Sequence, residues 1–303
     1  MRSRLLVAAL IVSATALCGC LEQERVLKVR PDGSGTLTET TLLGAQMVQM
    51  MTAMGGAMPA TPGGEAPKDP LQMMVDKKTL AKQAAEMGEG VTVASAKPLK
   101  TEDGRAGGKV VYAFQDVSKL KLSMQQDSAK GSGGPGGMGG PGAPGPVEKK
   151  KKEVVKFQFV KAAAGRPAKL TIIMPEPPKA PKGPEAPAEG APPEMPPEMK
   201  AQMTAQMKGM MKQMFGGMRM SLVVKTGGKV VKTNATHPLK DGTGVTVFDM
   251  NFGKLVQDEA AFEKMQTMDK DMTLEEAKKA FDDPMLKKYI KIETNPKIEI
   301  QFK

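Results

Sequence analysis

The sequence of 303 residues contains two cysteines, one histidine and no tryptophan. Both cysteines, Cys18 and Cys20, end an N-terminal apolar segment. If that segment is removed and Cys20 is modified, as argued below, no thiol remains for a disulfide, a nucleophile or a metal site. His237 is the only histidine, which excludes a multi-histidine zinc or copper site within one chain. A hydrolase is further disfavoured by the lack of a G-x-S-x-G motif, so we predict a protein that is not an enzyme and needs no cofactor.

Aromatic residues make up only 4% of the chain. The core must therefore use Val, Ile, Leu, Ala and the 26 methionines, whose flexible side chains fill irregular gaps. The formal net charge is +11, yet the basic residues lack the interleaved aromatics that stack on bases, so nucleic acid is not an expected partner. Envelope polyanions or anionic lipid headgroups are a better match. We favour a simpler interpretation over any specific anion partner, in which the lysines make the surface soluble.

The first twenty residues have the organisation of a secretory signal. Arg2 and Arg4 precede an apolar run of 13 residues, Leu5 to Leu17, and Leu17-Cys18-Gly19-Cys20 follows. The run is shorter than the roughly 20 residues that a transmembrane helix needs. The two alternatives are that the segment stays as a transmembrane anchor and that ordinary signal peptidase cleaves it near Ala16.

This segment resembles the lipobox signals of bacterial lipoproteins. The resemblance implies that residues 1–19 are removed, that the thiol of Cys20 carries a diacylglycerol, and that its amine carries a further acyl chain such as palmitate. We therefore expect a cell-envelope protein that faces the periplasm or the cell exterior and contacts the membrane through this anchor. Leu21 stands where an Asp retains enterobacterial lipoproteins at the inner membrane, which favours the outer membrane.

The rest of the chain predicts an α+β fold in which helices lie between antiparallel hairpins. We expect a single discontinuous α+β envelope domain made of residues 20–127, 153–174 and 218–303. Two Gly/Pro-rich insertions interrupt it and are predicted to be disordered. They are a Gly/Pro/Lys-rich segment, 128–152, and a Pro-rich linker, 175–198.

Glycine-containing turns place the main predicted hairpins. Pro31 to Gly35 joins strands 25–30 and 36–40. Gly227-Gly228 is expected to form a tight hairpin turn between strands 219–225 and 229–236. The remaining predicted strands are 91–98, 109–115, 153–161, 168–174, 244–250 and 297–302. The predicted helices are 42–54, ended by Gly55-Gly56; 71–87, capped by Gly88; 253–268; and 273–281, with a capping box at Thr273 and Glu276.

A methionine-rich amphipathic helix is predicted at 199–217. Thioethers bind Cu(I), so one face of this helix is a candidate copper site. Its ligands would be Met203, Met207, Met210, Met211 and Met214. The same spacing suits an apolar face that packs on the sheet or contacts lipid, a hydrophobic ligand or a partner protein, and we favour this second interpretation.

Three further segments have simpler interpretations. His237 lies between a predicted strand and Pro238 and is expected to be an exposed turn residue. The Gly-rich segments 32–35 and 241–244 do not fit a phosphate-binding loop and are predicted to be turns.

Several motifs occur in an order that is similar to the LppM-like lipoprotein domain family. They are Val-Arg-Pro-Asp-Gly-Ser-Gly at 29–35, a pair of helices, Gly-Gly-Lys-Val-Val-Tyr-Ala-Phe at 107–114, and Thr-Gly-Gly-Lys-Val-Val-Lys-Thr-Asn-Ala at 226–235. The resemblance covers about residues 20–125 and 218–256, and the two insertions and the Met-rich helix depart from it. It implies a non-enzymatic α+β envelope domain with a proposed role in lipid or glycolipid binding. No functional residue is carried over, because the matching positions are turns.

The sequence therefore predicts a lipid-anchored envelope module that binds a lipid, another ligand or an envelope protein. The alternative is a Met-rich lipoprotein that handles Cu(I).

Overall fold

The computed structural model of the protein describes residues 21–57, 70–123, 154–175, 215–268 and 274–303, together with Gln206, Gly209 and Lys212. These residues form the predicted α+β fold. The strands are β1 (Leu21–Val29), β2 (Gly35–Leu43), β3 (Thr92–Lys100), β4 (Ala106–Phe114), β5 (Lys121–Ser123), β6 (Val154–Val160), β7 (Ala168–Ile173), β8 (Arg219–Thr226), β9 (Val230–Thr233), β10 (Gly244–Asn251), β11 (Ile290–Ile292) and β12 (Lys297–Phe302). The α-helices are α1 (Ala45–Ala57), α2 (Pro70–Met73), α3 (Lys77–Met87), α4 (Phe252–Leu255), α5 (Glu259–Gln266) and α6 (Leu274–Phe281).

The strands build two sheets. The larger has seven strands in the order β11-β10-β8-β1-β2-β4-β3, and the smaller has five in the order β5-β6-β7-β12-β9. Neighbouring strands are antiparallel except β1 and β8, which are parallel. The start of β1 therefore lies beside the start of β8.

The main core combines side chains from one face of each sheet. Because successive side chains of a strand point to opposite faces, every second residue contributes. The larger sheet supplies Leu27, Val29, Leu37, Tyr112, Phe114, Leu222, Val224, Val245 and Val247, and the smaller sheet supplies Leu122, Val155, Phe157, Leu170, Ile172, Ile298, Ile300 and Phe302. Helix α3 adds Leu80 and Ala84 to the same cluster. A separate small core forms around α4, α5 and β11.

The first predicted turn is confirmed. The Asp32 carboxylate accepts hydrogen bonds from the Ser34 backbone N–H (2.9 Å) and hydroxyl (2.8 Å). Gly33 has φ +89°, a conformation that other residues adopt at a cost. A Cβ atom there would lie 2.8 Å from Cδ1 of Phe159 in the opposite sheet. The turn thus fits under an aromatic ring as well as reversing the chain.

Gly33→Ala should lower the free energy of unfolding by about 2 kcal/mol, because the left-handed backbone costs a non-glycine residue about 1–2 kcal/mol and the Phe159 ring must also move. Gly165→Ala is a matched control, since Gly165 also has positive φ (+73°) but no atom within 4 Å of its Cβ position. Urea unfolding should show a larger loss for Gly33→Ala than for Gly165→Ala. Equal losses would contradict the steric contribution of Phe159.

The hairpin predicted at Gly227-Gly228 is wrong. Strand β8 pairs with β1 and β10 in the larger sheet, whereas β9 pairs with β12 in the smaller one. Neither glycine has a positive φ. A Cβ at Gly228 would lie 2.2 Å from the backbone oxygen of Lys303, and one at Gly227 would lie 3.1 Å from Cα of Arg30. These glycines permit close backbone contacts where the chain crosses between sheets.

Other helix boundaries differ from the predicted ones because strand pairing and N-terminal capping override the helical spacing of the apolar residues. Helix α1 begins at Ala45 because Leu42 and Leu43 still pair in β2, and it continues through Gly55-Gly56 to Ala57, so the predicted glycine stop is wrong. The predicted helix 71–87 is interrupted at Asp76, whose carboxylate accepts the Thr79 backbone N–H and caps α3. Asp258 interrupts the predicted helix 253–268 in the same way.

Several predictions lie outside the described residues. These are the signal segment with Cys20, insertion 128–152, the linker 175–198 except Pro175, Thr273, and the five candidate copper ligands. Within 199–217, Gln206, Gly209, Lys212 and Phe215 have helical backbone, in agreement with the predicted helix at those positions. Across the described part of the chain, no helix combines the length and apolar character needed to cross a bilayer.

Candidate functional site

The inner face of the larger sheet changes from apolar to polar toward the start of β1. Leu27 and Val29 are fully buried on this face, and the period of two places Arg25 and Gln23 on it as well. In β2, Glu39 and Thr41 continue the face of Leu37, and the antiparallel register sets Arg25 opposite Glu39. Polar side chains thus occupy positions that point toward the smaller sheet.

A cavity of about 470 Å³ lies over these polar side chains. Its walls come from β1, β2 and β4 on one side and from α3, β5 and the start of β6 on the other. The apolar part of the lining consists of Met74, Leu80, Met87, Val110, Leu122 and Val154. Gly108 also lines it and leaves space, because a Cβ there would meet Val75 and Met74.

An ion pair between Arg25 and Glu39 forms part of the polar lining. Arg25 Nε lies 2.8 Å from Glu39 Oε1, and the two side chains are 18% and 14% exposed. Arg25 also donates a hydrogen bond from Nη1 to the Ser123 backbone oxygen (2.9 Å), which links the larger sheet to β5. Although Nε and Oε1 are close, neither buried atom has a hydrogen bond of acceptable geometry among the described residues. Both atoms are inaccessible to solvent, so they compensate each other's charge through their close approach.

Tyr112 completes the polar group. Its side chain is fully buried, and its hydroxyl donates to Gln83 Oε1 (3.2 Å) on α3. Burial, followed by the nearby Glu39 carboxylate, raises the pKa of Tyr112 well above its usual range, while the Arg25 guanidinium opposes the shift. The phenol is therefore neutral at physiological pH and acts as a hydrogen-bond donor.

The cavity is suited to binding an amphipathic molecule. Its volume falls within the range of about 300–1,000 Å³ that is typical of small-molecule sites, and its lining combines the six apolar side chains with polar and charged ones, of which Gln83, Glu86 and Lys121 are exposed. Its lining residues include no histidine or cysteine. In the described part of the chain, no group of three or more His, Cys, Asp or Glu side chains could hold a metal ion.

The residues singled out in the sequence do not meet at this cavity. His237 is half-buried, not exposed as predicted, and its backbone oxygen accepts the Thr246 N–H. The segment 241–244 is the predicted turn, with Asp241 accepting the Thr243 N–H (3.0 Å). Neither segment lines the cavity.

Sequence reasoning missed Arg25, Glu39 and Tyr112. A usable signal was present: Arg25 is two residues before Leu27, and Glu39 is two residues after Leu37, so each shares a face with a core residue. Counting outward from the turn at Asp32 also pairs the two charges. The helix and the strand that close the cavity come from distant parts of the sequence and gave no such signal.

No protein-family model and no curated protein matches the chain. A comparison with solved structures finds the folded domain of LppM from Mycobacterium tuberculosis, determined by NMR. The TM-score is 0.31 at 10% sequence identity, over 78% of this chain and 85% of that one.

Proposed function

We propose that this chain is a lipid-anchored envelope protein that binds a small amphipathic molecule in the cavity and does not catalyse a reaction. The observation that carries the proposal is the 470 Å³ cavity with the Arg25–Glu39 ion pair in its lining. An apolar body would contact the leucine, methionine and valine side chains. A polar head would contact the parts of the Arg25 and Glu39 side chains that remain exposed, together with the other polar lining residues.

The position of the cavity in the chain supports a ligand that comes from the membrane. Gln23 lines the cavity and is only three residues from Cys20. At about 3.3 Å per residue, three residues span roughly 10 Å. With acyl chains on Cys20, the cavity would lie close to the headgroups and could exchange a lipid-like ligand over a short path.

The absence of histidine and cysteine from the lining supports binding instead of catalysis. Neither common side chain that exchanges protons near neutral pH is available there. Three of the polar lining groups are held by protein contacts: Arg25 contacts Glu39 and Ser123, and Tyr112 contacts Gln83. Such groups orient a ligand but provide no activated nucleophile.

Thr41→Trp tests the cavity directly. Thr41 is a lining residue, so the large indole should occupy the cavity and exclude the ligand. Native mass spectrometry of the full chain from a membrane extract should show a non-covalently bound lipid on the wild type and at least a tenfold lower occupancy on Thr41→Trp. The same spectrum reports the acyl groups on Cys20.

Thr38→Trp is the matched control, since Thr38 lies on the other face of the same strand. The chain contains no tryptophan, so each variant carries a single indole whose emission reports its burial. Blue-shifted emission for Thr41→Trp and ligand retention by Thr38→Trp are expected. Equal occupancy of a co-purified lipid in all three proteins would refute the cavity as the binding site.

A further inference from the structure

A second, basic pocket of about 230 Å³ lies at the end of the larger sheet where β1 begins. We call it the basic pocket and define it by its four cationic lining residues, Arg219, Lys254, Lys288 and Lys291. Asp249 is the one carboxylate among the residues that line it. The pocket lies apart from the inner cavity, because the two share no lining residue.

The three lysines are held less tightly than Arg219, and Lys288 also interacts electrostatically with Asp258, which lies outside the lining. Arg219 donates to both carboxylate oxygens of Asp249, at 3.1 and 3.2 Å. Strand pairing sets Lys291 opposite the same Asp249, but none of the three lysines has an ion pair with a carboxylate among the described residues. All three are exposed. A pocket in which four cations surround one carboxylate attracts anions, and lysine ammonium groups suit phosphate oxygens.

The pocket is close to the start of β1. Arg219 pairs with Glu22 across the parallel β1–β8 contact, and Arg219 Nη1 lies 3.7 Å from Glu22 Oε1. Strands β10 and β11 follow β8 in the sheet, so Lys291 lies three strand spacings from β1, or about 14 Å. Glu22 is two residues after Cys20. An anchor at Cys20 would hold the basic pocket within reach of the headgroup layer.

We propose that the basic pocket binds the phosphate of an anionic phospholipid in the membrane that holds the anchor. This inference rests on the anchor in the proposed function, but not on the ligand of the inner cavity. The pocket would set the orientation of the domain by adding a second contact to the acyl chains. Inorganic phosphate shares the same chemistry, so the experiment must separate the two sources.

Amine labelling of the full chain in lipid nanodiscs provides the test. The labelling rate should be about fivefold lower in phosphatidylglycerol discs than in phosphatidylcholine discs for Lys254, Lys288 and Lys291. A fivefold change is equivalent to about 1 kcal/mol, the free energy that one lysine gains at an anionic surface. Millimolar inorganic phosphate is added to the phosphatidylcholine discs as a third arm. Protection in phosphatidylglycerol alone supports the proposal. Equal rates in all arms, or equal protection by free phosphate, overturn it.

Variants show whether the lysines act as one site. In a Lys254→Gln, Lys288→Gln double variant, Lys291 should lose most of its protection in phosphatidylglycerol discs. The matched control is the double variant Lys161→Gln, Lys240→Gln, which removes the same charge at the opposite end of the two packed sheets. There Lys161 follows β6 beyond Phe159, and Lys240 precedes β10. Retained protection of Lys291 in the first variant would contradict a shared site.

The two proposals can fail separately. The mass of the N-terminal peptide shows whether Cys20 carries lipid. If it does not, the anchor proposal fails, and phosphatidylglycerol vesicles added to the chain still decide the basic pocket: protection of the three lysines supports it and unchanged labelling overturns it.

Discussion

Glu39→Ala is expected to lower the free energy of unfolding by about 3 kcal/mol, because it leaves the charged Arg25 side chain largely buried without its partner. Arg25 Nε lies 2.8 Å from Glu39 Oε1, and both side chains are more than four-fifths buried. The hydrogen bond from Arg25 to the Ser123 oxygen remains and satisfies part of the guanidinium. Water that enters the cavity also limits the loss to the lower part of the usual range.

The double variant Arg25→Met, Glu39→Met should be much more stable than either single variant. Replacing a buried pair with apolar side chains of similar volume is commonly neutral, since it removes the desolvation cost of two charges. Urea unfolding of the wild type, both single methionine variants and the double variant gives the coupling energy. The double variant should nonetheless bind the co-purified ligand much more weakly, because the ion pair that would contact its polar head is gone. This separates a binding role for the pair from a purely structural one.

Glu89→Ala is a matched control for the effect of burial. Glu89 pairs with Lys119 at 3.1 Å, but the two side chains are 82% and 49% exposed. An exposed pair of this kind contributes about 0.5 kcal/mol or less. If Glu39→Ala changed stability no more than Glu89→Ala, the Arg25–Glu39 pair would be solvated and would not behave as a buried pair.

Glu293→Ala is expected to lower the free energy of unfolding by a similar amount, about 3 kcal/mol, through a different cause. Glu293 is only 4% exposed and follows β11. Its carboxylate accepts hydrogen bonds from the Thr236 N–H (2.6 Å), the Thr236 hydroxyl (2.9 Å) and the Asn295 N–H (3.0 Å). Charge-assisted bonds contribute about 1.5–3 kcal/mol each, and alanine leaves the donors without an acceptor.

The loop that Glu293 holds joins β9 to β10. Loss of this contact should loosen the edge of the smaller sheet. Asn234 reinforces this contact: its side chain donates to the Lys297 oxygen (2.9 Å) and accepts the Glu299 N–H (2.7 Å). Hydrogen exchange at Glu299 should therefore accelerate in Glu293→Ala, while exchange in β1 and β2 changes little.

Two variants control this prediction. Glu293→Gln keeps an acceptor oxygen and should recover a large part of the lost stability. Asp241→Ala removes an exposed carboxylate that accepts the same two groups of Thr243, its N–H and its hydroxyl, and its effect should be much smaller. Equal destabilisation by Asp241→Ala and Glu293→Ala would show that burial of Glu293 does not matter.

Much of the fold could be predicted because short-range signals determine it. The turn at Asp32-Gly33 needs only local hydrogen bonds and a positive φ, and β12 shows its alternation within six residues. The predicted turn at Gly227-Gly228 failed because glycine indicates a close backbone contact as readily as a reversal. Which of the two applies depends on Lys303 and Arg30, far away in the sequence.

The sequence by itself determined the α+β class and most strand positions. These follow from composition, from the period of two and from local turn chemistry. Only the tertiary structure decided that Arg25 and Glu39 face a cavity and that Lys254 and Lys288, between β10 and β11, and Lys291, within β11, collect in one pocket with Arg219. The cavity depends on how the two sheets pack, and the basic pocket depends on the parallel β1–β8 pair that brings Arg219 to Glu22. Long-range pairing is set by the summed burial of both sheets, which no local pattern encodes.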